Sequence, residues 1–89
     1  MDEDRVVREL RDQIADNDRA IVESLNRRIE LVAELHDYKI AHGYALVDPG
    51  RERWLVEHLV GSNSGPLTPQ GLREFLLGLL ELTKREVAG

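Results

Sequence analysis

The sequence predicts an all-α fold: one very long N-terminal helix and two shorter ones. Three observations carry this. Residues 4 to about 42 contain no Gly or Pro and place apolar side chains every three or four positions. Two later segments open on a capping residue followed by proline, Asp48-Pro49 and Thr68-Pro69. No segment shows the strict alternation of a half-buried strand.

The first helix is expected to stop at "AHGY", where Gly43 suits a left-handed cap. "ALVDPGRERW" then reads as a short extended link and a helix start, with Asp48 as N-cap and Pro49 in the first helical position. The second helix is expected to reach about Val60, and "GSNSGP" reads as a loop. The third is "LTPQGLREFLLGLLELTKREV", capped by Thr68 and slightly weakened by Gly71 and Gly78. Its last turn is expected to fray before Gly89.

The 89 residues make one domain, 1–89, whose own core is marginal at this length. A helix of ~39 residues is ~58 Å long, whereas a compact chain of this size has a radius of gyration of ~12 Å. The other two helices cannot cover it, so a second copy of the chain is expected to do so. A bend near "NDRA" and a monomeric bundle is the other solution.

Composition narrows the function. The net charge of −5 argues against general nucleic-acid binding, which wants a basic face. No apolar run approaches a membrane span, and "MDEDRVVREL" does not read as a signal peptide. The absence of cysteine removes disulfides and thiolate sites and fits a cytoplasmic location. His36, His42 and His58 lack metal-ligand spacing, no Ser/His/Asp set or phosphate-cradling loop appears, and neither metal nor cofactor is expected.

Within the first helix the charges are misplaced for a simple apolar stripe. At 100° per residue, Leu10, Ile21 and Leu35 lie within about 20° of Arg28, and Ile14 and Val32 within about 40°. Lys39 is also about 20° from Arg28, ~16 Å further along the axis. Two cations therefore occupy the centre of the apolar face, where an unpaired charge is costly. They either reach solvent, pair with carboxylates such as Glu52 or Glu81, or serve an anionic ligand. With Arg51 opening the next helix, three cations suggest a small dicarboxylate. Arg11 is about 100° from Arg28 and ~25 Å away, so within one chain it cannot easily serve the same pocket.

The segment "LRDQIADNDRAIVESLNRRIELVAELHDYK" with "DPGRERW" resembles the all-helical chorismate mutases. The matching set is Leu10, Arg11, Ile14, Asp18, Ile21, Leu25, Arg28 and Lys39, then Asp48, Arg51 and Glu52. It covers about residues 7 to 60 and continues weakly into the third helix. The resemblance implies an entwined homodimeric helical bundle with two sites, each completed by one arginine from the other chain. It implies the cofactor-free rearrangement of chorismate to prephenate, the branch step toward phenylalanine and tyrosine. Arg28 and the other chain's Arg11 would clamp the two carboxylates, with Arg51 adding positive field. Lys39 would donate to the ether oxygen. Glu52 would orient Lys39 and the ring hydroxyl, and Asp48 would hold the hydroxyl side.

Thr83 fits the family's small hydroxyl position. Four residues later the family usually carries Gln or Glu as a second donor to the ether oxygen, and here stands Val87. Losing one such donor costs about 10²–10³ in rate. The resemblance therefore implies a weaker mutase, or one completed by an activating partner enzyme. The same fold also admits a 4-amino-4-deoxychorismate mutase or an isochorismate pyruvate lyase. A non-catalytic regulatory helical dimer, or a plain coiled-coil adaptor, is the reading outside catalysis.

Overall fold

The computed structural model describes residues 4–88, so Met1, Asp2, Glu3 and Gly89, with the expectations placed on them, lie outside the described residues. The chain forms α1 (Arg5–His42), α2 (Pro49–Ser62) and α3 (Pro69–Ala88). α1 is unbroken, which rules out a bend at "NDRA". Asp4 caps it, its carboxylate accepting from the backbone N–H of Val6 and Val7 at 2.7 and 3.4 Å. At the other end Gly43 takes φ +70°, and the N–H of Tyr44 reaches back to the Lys39 carbonyl at 2.9 Å. This is the left-handed termination expected of glycine.

Asp48 caps α2 by accepting from the Arg51 N–H at 3.0 Å, with Pro49 in the first turn. α2 runs to Ser62, two residues beyond the expected Val60, and the Ser62 hydroxyl donates to the His58 carbonyl. Thr68 opens α3, its Oγ1 accepting from the Gly71 N–H at 3.0 Å. The loop between them is tied by Asn63, whose amide donates to the Leu67 carbonyl at 2.8 Å.

Packing is unequal. α3 lies against both α1 and α2 and is the element that joins them. The buried side chains among the described residues are Val56, Leu76 and Thr83, none of them on α1. Leu10, Ile14 and Ile21, on the α1 stripe, are more than half exposed. The molecule measures 62 × 26 × 17 Å with a radius of gyration of 17.4 Å, against ~12 Å for a compact chain of this length. Its accessible surface is 7297 Å², where a folded monomer of this mass exposes about 5300 Å². Among the described residues no helix is long and apolar enough to cross a membrane.

Candidate active site

Three parts of the chain converge where the C-terminal half of α1, the start of α2 and the end of α3 meet. α1 contributes Lys39 with Val32 and Leu35, and the link contributes Leu46 and Val47. α2 contributes Asp48, Arg51 and Glu52, and α3 contributes Lys84 and Val87. Together they enclose a cleft of about 360 Å³. Its walls carry three cations against two carboxylates. The capping chemistry of α2 explains the position of Asp48, Arg51 and Glu52. Asp48 must precede Pro49 to cap the helix, so Arg51 and Glu52 fall in the first turn, at its electropositive end.

Each charged group has a distinct engagement. Asp48 uses one carboxylate oxygen on the Arg51 backbone N–H. The Arg51 guanidinium lies over the Trp54 ring, 4.2 Å from its centroid, and Trp54 stacks in turn on His58. Glu52 takes the Lys84 ammonium at 2.9 Å on one oxygen and 3.2 Å on the other. That contact, with help from Glu81, holds the Lys84 pKa above its usual value despite some desolvation. Lys39 is half-buried and makes no hydrogen bond or ion pair among the described residues.

Five of the eight residues expected at the site, Lys39, Asp48, Arg51, Glu52 and Val87, therefore share one cleft. Arg28 does not line it. Its Nη1 donates to the buried Thr83 hydroxyl at 2.6 Å, and that hydroxyl donates to the Leu79 carbonyl at 2.7 Å. Arg28 instead borders a second, apolar groove of about 610 Å³ between α1 and α3, with Ile21, Leu25, Phe75, Gly78 and Leu79. One turn beyond the Arg28–Thr83 pair, Val32 and Val87 line the cleft, while one turn before it Leu25 and Leu79 line the groove. The pair thus separates the two spaces. Arg11 sits on the exposed part of α1 and lines neither.

The resemblance implies that Glu52 orients Lys39; in the structure the Glu52 carboxylate contacts Lys84. The reason is topological: α2 packs on α3, so a side chain in its first turn meets the end of α3 before it meets α1. Lys84 itself is absent from the set expected on sequence grounds. Helical rotation gives only a weak signal for it, since Lys84 is about 60° from Val87 but about 100° from Thr83.

Fold and cleft define a class: a three-helix protein whose long helix carries Lys39 into a charged cleft closed by two shorter helices. The chain belongs to the chorismate mutase type II family, whose model matches residues 10–87. That span contains every candidate residue from Arg11 to Val87. The chain is also similar in structure to a chorismate mutase (form I) from Thermus thermophilus. The two share 24% sequence identity with a TM-score of 0.85, covering 89% of this chain and 99% of the other. At that identity the likeness establishes the all-helical fold. No curated protein sequence matches the chain. Family and fold together support chorismate mutase activity, an isomerase of the aromatic amino acid pathway.

Proposed function

We propose that the cleft around Lys39 binds chorismate and carries its rearrangement to prephenate, in a homodimer that brings Arg11 of the second copy to the site. The observation that supports this best is Lys39 itself. A half-buried ammonium without a protein acceptor is poorly solvated, and an anionic ligand restores its hydrogen bonds. In the reaction one C–O ether bond breaks as one C–C bond forms, within a single molecule and without proton transfer. The protein's part is to hold the folded conformer and to meet the negative charge that grows on the ether oxygen. Lys39 donates to that oxygen. Arg28, turning from Thr83 at the boundary of the cleft, and the partner copy's arginine take the carboxylates as guanidinium forks. Arg51 leaves Trp54 or acts from there as positive field, and Asp48 and Glu52 face the ring hydroxyl.

The exposed stripe supports the dimer. Leu10, Ile14 and Ile21 project from a helix that α3 covers only in part, and the chain exposes about 2000 Å² more than a compact monomer of its mass. That excess is of the order that a stable interface buries. A cytoplasmic location agrees with the lack of cysteine.

Val87 lines the cleft and cannot donate a hydrogen bond, which supports a slow mutase or one raised by a partner enzyme. The decisive assay follows absorbance change with chorismate, 4-amino-4-deoxychorismate and isochorismate, each against a Lys39→Ala control. Chorismate is expected to be converted, with Lys39→Ala at background. Chorismate turnover equal in the control and the wild type overturns the assignment. A rise in melting temperature with chorismate but no conversion supports the binding protein instead, the reading that Val87 favours.

A further inference from the structure

Both carboxylates of the cleft are engaged away from Lys39. Asp48 is held by the backbone of α2, which it caps. Glu52 is held through both oxygens by Lys84, which reaches it from the last turns of α3. Glu52 and Lys39 line the same cleft of about 360 Å³, and a carboxylate released there meets an ammonium with no other acceptor. Such a pair would neutralise the group that is needed for the ligand.

We infer that Lys84 is a positioning residue that keeps Glu52 off Lys39, so that the Lys39 ammonium stays open to the anionic ligand. This rests on the reading of the cleft as the chorismate site. The raised pKa of Lys84 agrees with it, since the group stays charged across the neutral range. Lys84 acts through Glu52 and not on the substrate. The side chains of Lys84 and Glu52 are partly open to water, 47% and 30% exposed, so the pair contributes little to folding.

The test is a double-mutant cycle. Lys84→Met in the wild-type chain is expected to lower kcat/KM at least about tenfold, with KM rising because Glu52 now competes for Lys39. In a Glu52→Gln chain the same change is expected to cost less than about threefold, because the amide does not compete. Lys84→Arg keeps the charge and is expected to restore most of the loss. The melting temperature is expected to stay close to that of the parent chain in each case. Equal losses in both backgrounds overturn the inference, since Lys84 then acts directly on the ligand or on the fold. No loss in the wild-type chain overturns it as well. Should Lys84→Met fail to fold, Lys84→Gln provides the same comparison. Full turnover in Lys39→Ala defeats the site reading itself. An inactive Lys39→Ala beside an unaffected Lys84→Met defeats only the role given to Lys84.

Discussion

Arg28 occupies the middle of an apolar stripe, and its immediate contact is a threonine hydroxyl on another helix. Replacing it by leucine leaves Thr83 still satisfied through the Leu79 carbonyl. Arg28→Leu is therefore expected to leave stability unchanged or slightly raised in urea unfolding, while turnover is lost. Thr83→Val acts in the opposite sense. It removes the acceptor from a half-buried guanidinium and is expected to cost about 1–2 kcal/mol in the same measurement. A wild-type rate in Arg28→Leu would return the residue to a plain structural role. At this scale the sequence is informative about α1, because helical rotation alone puts Arg28 and Lys39 on one face and Arg11 on another. It is poor at pairing. Which carboxylate meets which ammonium depends on how α2 and α3 pack, and rotation along one helix says nothing of that. Hence the resemblance pairs Glu52 with Lys39, whereas its contact is Lys84.

The element ends are the most legible features. Capping is local chemistry: Asp48-Pro49, Thr68-Pro69 and Gly43 each act within a turn of their own position. A Cβ at Gly43 meets no atom within 4 Å, so its constraint is conformational and not steric. Gly43→Ala is expected to lower stability by about 1–2 kcal/mol, the cost of a left-handed backbone for an L-residue. Gly78 is different. It lies in mid-helix, borders the apolar groove, and a Cβ there also meets open space. Gly78→Leu improves helix propensity by about 1 kcal/mol, and its Cβ meets no atom of the same chain within 4 Å. If a second copy fills the groove, the side chain blocks it. The expected result is a protein that shifts from dimer to monomer in analytical ultracentrifugation, and a dimer that persists would move the interface elsewhere. The Glu57–Arg73 contact also ties α2 to α3. Its hydrogen bond and the arginine charge lower the Glu57 pKa from 4.5. Its small contribution is thus present above that value and lost as pH falls through the lower folded one. Glu57→Gln should match the wild type in thermal melts at strongly acid pH and fall slightly below it at neutral pH.

For the whole molecule, length is the informative quantity. The sequence shows before any contact is known that so long a helix outreaches the rest of the chain, and the structure leaves its 38 residues with no buried side chain. What the sequence withholds is the division of labour, with α3 as the one helix packed on both others, because that is a property of tertiary packing. The dimer reading makes a direct prediction. Arg11→Ala and Arg28→Ala are each expected to be inactive alone. Unfolded together and refolded as a mixture, they are expected to regain about a quarter of the sites, since each mixed dimer holds one intact pair. No recovery in a mixture shown to contain mixed dimers would place Arg11 in the same chain's site or outside it. The placement of the core has a further consequence, in time and not in space. Val56, Leu76 and Thr83 all depend on α3, which is synthesised after α1 and α2. While a ribosome is still adding residues before Pro69, the emerging chain has two helices and nothing to fold around. Folding must therefore wait for release of α3, and a transcript cut short there yields no partial domain, only a substrate for proteases.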